Sequence, residues 1–218
     1  MRRPDWTQWQ RLYDSPERAV AQRLRIVQRL IRATLASHTG QVTVLSLCAG
    51  QGRDLLEVLA DHPAPATVRG RLIELDPANC AAATRQVRRL GLDGIEVVSG
   101  DAAVTDAYVG MVPADLVLVC GVFGNIADGD VRRTIESLPQ LCGRGATVIW
   151  TRHRGPPDLT PLIRAWFGEA GFVEVAFEST AAEPPRPGAF PTQSVGANRW
   201  PGEAVPLELG RRLFTFLW

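Results

Sequence analysis

Apolar residues along this chain fall into two alternating patterns. Short apolar runs have the length and β-branched content of buried strands, and the segments after several of them repeat apolar residues at helical spacing. We predict strands over residues 42–47, 71–76, 95–101, 114–121, 145–151, 172–177 and 213–217. This alternation predicts a doubly wound α/β fold, with a mostly parallel seven-stranded sheet and helices on both faces.

The two ends of the chain depart from this pattern. Residues 1–37 predict a small N-terminal helical cap, in which Ser15 and Pro16 begin a helix with an apolar stripe. Residues 38–218 would then form the main domain. Within it, residues 180–210 are rich in proline and glycine, which argues against a regular helix. We expect that segment to be a loop that folds over the substrate side.

Composition narrows the class of protein. The 218 residues are 45% hydrophobic and carry a net charge of +1, which is typical of an ordinary globular domain. No apolar run approaches the ~18 residues of a membrane-spanning helix, and the first residues lack a signal-peptide core, so we expect a cytoplasmic protein. The four cysteines have no C-x-x-C spacing and there are three histidines, so we expect no metal site.

The turn after the first strand carries the strongest chemical signal. Cys48-Ala-Gly50-Gln-Gly52 joins that strand to a helix on which Leu55 begins the apolar stripe. Glycines let the backbone turn tightly and approach a ligand, and a helix start offers unpaired N–H groups. A dinucleotide-binding fingerprint would need a third glycine where Leu55 stands, and a Walker loop would need a lysine, which the chain lacks.

Two acids follow at the ends of the next strands. Glu74 ends the second strand about twenty residues after the glycines, the spacing at which a carboxylate binds ribose hydroxyls, and Asp101 ends the third. Together with the fourth strand, these segments resemble the motifs of class I S-adenosylmethionine (SAM) methyltransferases of the bacterial small-molecule type, over roughly residues 40 to 152. Two positions depart from the family: Ser46 replaces its usual acid, and Cys48 replaces its first glycine.

The resemblance implies a Rossmann-like fold whose last strand is antiparallel, with SAM as cofactor and S-adenosylhomocysteine (SAH) as product. It assigns Glu74 to the ribose, with Asp76 as the alternative, and Asp101 to the adenine. With Ser46 in place of the acid, the amino group of SAM needs another acceptor, either a backbone carbonyl or Asp54. The predicted cofactor-binding residues are Tyr13, Cys48, Gly50, Gly52, Glu74, Asp101, Ala102 and Cys120.

The acceptor side of the site rests on fewer signals. His153 follows the fifth strand, at the edge where open α/β sheets bind ligands, and its ordinary pKa suits a general base. A structural role for this histidine is equally open. The predicted substrate-binding residues are Asn125, Arg154, Asn198 and Trp200.

We predict a methyltransferase that acts on a small molecule, as a monomer or homodimer. One alternative is an RNA-directed methyltransferase that uses the arginines of the cap helix, although the nearly neutral chain disfavours nucleic acid as a partner. Another is a SAM- or nucleotide-binding protein without catalysis, suggested by the missing motif acid. A nicotinamide-dependent oxidoreductase is disfavoured by Leu55.

Overall fold

A computed structural model describes residues 11–183 and 191–217. The strands are β1 (Val42–Leu47), β2 (Val68–Glu74), β3 (Ile95–Ser99), β4 (Ala114–Val119), β5 (Cys142–His153), β6 (Val173–Ser179) and β7 (Gln193–Arg199). The longer helices are α1 (Ala19–Ala36), α2 (Arg53–Ala60), α3 (Pro77–Leu90), α4 (Asp128–Ser137) and α5 (Thr160–Glu169).

These strands form one seven-stranded sheet in the order β3-β2-β1-β4-β5-β7-β6. The strands β1 to β5 pair in parallel, and β7 lies antiparallel between β5 and β6. β1 and β4 are almost continuously apolar because helices cover both faces of the sheet. The strand order reverses direction beside β1, and this is where open α/β sheets bind ligands.

The two faces of the sheet carry separate hydrophobic cores. One face packs against α4 and α5 around the aromatic residues Phe123, Trp150 and Phe167. The other packs against α1, α2 and α3 through aliphatic residues such as Val27 and Leu56. The predicted doubly wound architecture is therefore confirmed.

The prediction for the last strand is wrong in position, although a strand antiparallel to its neighbours is present. The antiparallel strand is β7, which lies inside the segment 180–210 that we expected to be a loop. The predicted strand 213–217 forms only one isolated bridge, from Phe216 to Ile126, and Leu213 and Phe214 fill the core. The apolar pattern does not predict β7 because three of its buried residues, Gln193, Ser194 and Asn198, are polar and bond to partners elsewhere in the fold.

The cap helix α1 begins at Ala19, later than the predicted start at Ser15 and Pro16. Val27, Ile31 and Leu35 are buried in the same core as α2, so α1 belongs to one helical layer of the domain. The first ten residues of the predicted cap, and residues 184–190 of the predicted loop, lie outside the described residues. Within the described chain, no helix combines the length and apolarity needed to span a membrane.

Candidate active site

A cavity of about 620 Å³ opens at the carboxyl ends of β1, β2, β4 and β5, under the first turns of α1. This volume is within the ~300–1,000 Å³ range of small-molecule sites. One end is formed by the turn after β1 and the acids that follow β2 and β3. The other is formed by residues 151–156 and the turn after β4.

The turn after β1 has a left-handed backbone at three positions. Cys48 has a φ of 53°, Gly50 of 57° and Gly52 of 70°, so two of the three residues are the type that adopts this conformation without strain. Cys48 and Gly50 line the cavity. Gly52 does not: it is buried, and a Cβ there would lie 2.8 Å from a methyl group of Leu72. Its predicted contact with the cofactor is therefore replaced by a packing role.

Glu74 is held by the turn that faces it. Its Oε2 accepts a hydrogen bond from Gly50 N at 2.8 Å, and its Oε1 accepts one from Asp76 N at 2.8 Å. A carboxylate has about four acceptor sites, so each oxygen keeps one for a ligand. Asp76 instead caps α3, accepting from the backbone of Ala78 and Asn79. The geometry favours Glu74 over Asp76 as a ligand.

The next wall of the cavity is formed by residues after β2 and β3. Leu75 is 49% exposed and contributes an apolar surface beside Glu74. Asp101 and Ala102 lie across from it. Asp101 accepts from Ala103 N at 2.9 Å and pairs with Arg212 at 2.9 Å, so its carboxylate is fixed in orientation.

Two buried charged residues that were not among the predicted site residues line the cavity where α1 faces α2. Arg23 is 7% exposed and donates to Tyr13 Oη at 2.7 Å and to Gln193 Oε1 at 3.0 Å. Asp54, in the first turn of α2, is 8% exposed. Burial raises the pKa of Asp54 to about 6, against the opposing effects of the Leu55 N–H and the positive charge of Arg23. These residues place one positive and one negative charge on the same cavity wall.

One signal in the sequence marks Arg23. It stands three residues after Val20 and four before Val27, on the apolar stripe of α1. An arginine at a core-facing position needs a partner or a function. Ser46, at the position of the family acid, is 1% exposed within β1 and does not line the cavity.

The two cysteines of the cavity are not nucleophiles. Burial raises the pKa of the Cys48 thiol, and the negative charges of Glu74 and Asp101 raise it further. Burial likewise raises the pKa of Cys120, with a further contribution from Asp54. Because the thiolate is the reactive form, these surroundings disfavour either thiol as a nucleophile. Among the described residues, no group of three or more metal-binding side chains is present.

The other end of the cavity contains His153, Arg152 and Asn125. Asn125 donates to Gly121 O at 2.7 Å and holds the turn after β4. Gly155 N donates to His153 Nδ1 at 3.2 Å, which assigns the ring proton of the neutral histidine to Nε2. Burial lowers the pKa of His153, and the charge of Arg152 lowers it further while Asp158 opposes this.

These contacts do not suit the predicted general base. The acceptor nitrogen of the neutral ring is occupied by Gly155, and the nitrogen that remains carries a proton. His153 therefore offers the cavity a hydrogen-bond donor. The backbone N–H of Gly155 keeps Nδ1 unprotonated in the neutral ring, and the sequence alone does not predict this contact.

Three predicted substrate residues are not brought to the cavity. Arg154 pairs with Asp158 at 2.9 Å. Asn198 is 1% exposed and accepts from Trp150 Nε1 at 2.8 Å. Trp200 packs against Phe172 with ring centroids 5.1 Å apart. Arg154 forms an ion pair, and Asn198 and Trp200 pack against neighbouring aromatic residues. None of the three is among the residues that line the cavity.

A sheet of this order, with a cavity at its carboxyl edge, defines the Rossmann-like methyltransferase fold. The chain belongs to the family described as "Putative methyltransferase", whose profile matches residues 14–171. The family that the motifs resemble is thereby confirmed. No curated protein matches the sequence.

Solved methyltransferase structures share this fold. An O-methyltransferase family protein from Burkholderia thailandensis is 21% identical, with a TM-score of 0.61 over 88% of this chain and 59% of that one. This chain is thus shorter than that relative. The magnesium protoporphyrin IX methyltransferase of Synechocystis PCC 6803, solved with bound SAH, is 15% identical, with a TM-score of 0.67 over 89% of this chain and 93% of that one.

Proposed function

We propose that this protein is a SAM-dependent methyltransferase that acts on a small molecule. The observation that carries the proposal is the arrangement of one continuous cavity. Its first end has a glycine turn bonded to the carboxylate of Glu74, and its second end has polar groups in a partly buried setting. The similar protein from Synechocystis was solved with SAH.

The first end fits an adenosine. The oriented carboxylate of Glu74 suits two adjacent ribose hydroxyls, because each oxygen retains an acceptor site. Leu75 supplies an apolar face for the adenine ring. Asp101, at the end of β3, suits an amino group on that ring. These assignments keep the roles proposed for Glu74 and Asp101 from the sequence.

The wall under α1 fits the amino-acid part of SAM, which carries an ammonium and a carboxylate. We assign the ammonium to Asp54 and the carboxylate to Arg23, with Tyr13 holding the guanidinium in place. A buried Asp54 without a bound cation is costly to ionise, which its raised pKa reflects. This pair replaces the family acid that Ser46 does not supply.

Bound SAM supplies a methyl group on a positively charged sulfur. The protein binds and aligns the two reactants, and alignment alone accounts for several orders of magnitude in rate. Val20, Leu24 and Val27 of α1, together with Pro191, give the cavity apolar walls, and such walls reduce the amount of water beside the reacting atoms. With His153 as a donor, the chain favours an acceptor that is already ionised or that loses its proton to solvent.

The test is a thermal-shift comparison of the purified protein with SAM, SAH and NAD. A ligand at about 100 times its dissociation constant stabilises the native state by about 2.7 kcal/mol, which corresponds to a shift of several degrees. We expect shifts with SAM and SAH and none with NAD. A shift with NAD alone, or with none of the three, would contradict the proposal.

A further inference from the structure

Arg152 is a buried cation that lacks a counter-ion within the described chain. Its side chain is 9% exposed, and Nη1 donates to the carbonyl of Phe123. Nε has no partner and is enclosed by protein. Nη2 also makes no hydrogen bond to the described residues and is not among the enclosed atoms, and Arg152 lines the cavity.

The charges around this guanidinium do not neutralise it. Burial lowers the pKa of Arg152, and Asp128 and Asp158 oppose that effect from a distance without forming an ion pair. Asp158 is engaged by Thr160 and Arg154. A buried charge without a close partner costs several kcal/mol. A ligand that completed the contacts of this guanidinium would offset that cost.

His153 places a second donor beside the first. Its Nε2 carries the proton, makes no hydrogen bond within the described residues, and is not enclosed by protein. Gly124 leaves room in front of both side chains. A Cβ at Gly124 would lie 3.4 Å from the His153 ring and 3.9 Å from Arg152 Nη1. One cation and one neutral N–H therefore face the same space.

We infer that the substrate carries a carboxylate, which accepts hydrogen bonds from Arg152 Nη2 and His153 Nε2. This inference rests on the proposed function and names the class of its substrate: a small organic acid. A planar carboxylate with one negative charge matches one guanidinium and one neutral donor. A phosphate dianion would call for further donors, whereas the other arginines that line the cavity already have partners: Arg23 bonds to Tyr13 and Gln193, and Arg53 bonds to Asp14.

The test uses pairs of probes that differ only in charge. We would titrate 4-hydroxybenzoate and 4-hydroxybenzamide, then lactate and lactamide, into the protein saturated with SAH, by calorimetry or ligand-observed NMR. In at least one pair the acid should bind about tenfold or more tightly than its amide, as expected for a charge-assisted hydrogen bond. Arg152→Met should remove this preference, and His153→Leu should reduce it by about two- to tenfold.

Arg144→Met is the matched control, because Arg144 is exposed and pairs with Glu203 on the surface. It should keep the full preference for the acid. The SAH affinity of each variant separates the two proposals. If SAH binds normally but no acid is preferred over its amide, the carboxylate inference is overturned and the proposed function stands. Nη2 of Arg152 would then be hydrogen-bonded only to solvent. Loss of SAH binding in Arg152→Met, with no effect on the acids, would assign Arg152 to the cofactor and also overturn it.

Discussion

The backbone N–H of Gly50 donates to Oε2 of Glu74 at 2.8 Å, which joins the turn after β1 to the end of β2 across 24 residues. The second oxygen of the same carboxylate is held by Asp76 N. The carboxylate is thus oriented before any ligand arrives. Preorganisation of this kind reduces the entropic cost of binding.

Glu74→Gln should weaken SAH binding by about ten- to a hundredfold, because the amide replaces one acceptor oxygen with a donor that opposes a backbone N–H. Calorimetry measures the change. Asp76→Asn is the control, since asparagine caps helices about as well as aspartate. Equal losses in the two variants would mean that Glu74 is not the ribose ligand.

Asp54 gives SAH binding a dependence on pH. Its pKa is about 6 in the free protein, and a bound ammonium lowers it, so binding below pH 6 must displace a proton. The affinity should therefore be highest near pH 7 and fall toward pH 5, by at most tenfold per pH unit.

Among the groups that face Asp54, Arg23 lowers its pKa, and burial raises the pKa of both Tyr13 and Cys120, which keeps these two neutral between pH 5 and pH 7. The charge of Glu57 also raises the pKa of Asp54. Asp54→Asn should bind SAH more weakly at pH 7 and with a flat profile. An unchanged slope in that variant would place the titrating group elsewhere.

How far the sequence predicts this molecule depends on where each contact partner lies. β1 and β4 are apolar runs buried on both faces, so their own residues reveal them. β7 is buried as well, but Ser194 donates to Arg152 O and Asn198 accepts from Trp150. Those partners are on β5, about forty residues earlier, and no local pattern exposes them.

The site residues likewise divide into those that the sequence predicts and those that depend on the tertiary fold. Gly50 and Glu74 stand at motif positions and reach the cavity as predicted from spacing. Arg23 reaches the cavity because α1 packs against the sheet beside it. The N–H of Gly155 determines which nitrogen of neutral His153 carries the proton. The partners of Arg23 and the proton position on His153 depend on the tertiary fold, whereas the place of Arg23 on the apolar stripe of α1 is visible in the sequence.

The variant His153→Gln distinguishes a hydrogen-bond donor from a general base at this position. Glutamine keeps an amide N–H near the position of Nε2 but takes up no proton in this pH range. We expect turnover within about tenfold of the wild type, whereas loss of a general base costs about 10²–10⁴. Methyl transfer to whichever acid the binding test selects provides the rate, and His153→Leu shows the cost of losing the donor.

A thousandfold loss in the glutamine variant, with SAH binding intact, would restore His153 as the base. The pH profile adds a second readout. Burial and Arg152 hold the pKa of His153 below its ordinary value, with Asp158 opposing, so protonation strengthens anion binding only below about pH 6.5.

Cys48 occupies a backbone conformation that favours glycine. Cys48→Gly removes a left-handed backbone strain of roughly 1–2 kcal/mol, but glycine also raises the conformational entropy of the unfolded chain. Because the two effects oppose each other, the free energy of unfolding should change by no more than about 1 kcal/mol. Cys48→Val should destabilise by about 2 kcal/mol, since a β-branched residue tolerates positive φ poorly. Urea denaturation measures both. Equal stability in the two variants would show that φ at Cys48 carries no strain.

Gly196 in β7 faces the indole of Trp150. A Cβ there would lie 2.2 Å from the ring, so Gly196→Ala must displace a buried side chain and should cost about 3 kcal/mol. Gly129→Ala is the control, because open space surrounds Gly129 within α4 and alanine favours a helix. Similar unfolding midpoints for the two variants would contradict the packing of β7.

The position of β7 also sets an order of assembly during synthesis. Among the strands of the described chain, β6 pairs with β7 alone, so residues 173–179 cannot join the sheet until residues 193–199 have left the ribosome and reached β5. Gln193 of the same strand accepts a hydrogen bond from Arg23, and both residues line the cavity. A nascent chain shorter than this therefore lacks both its sheet edge and a finished ligand pocket.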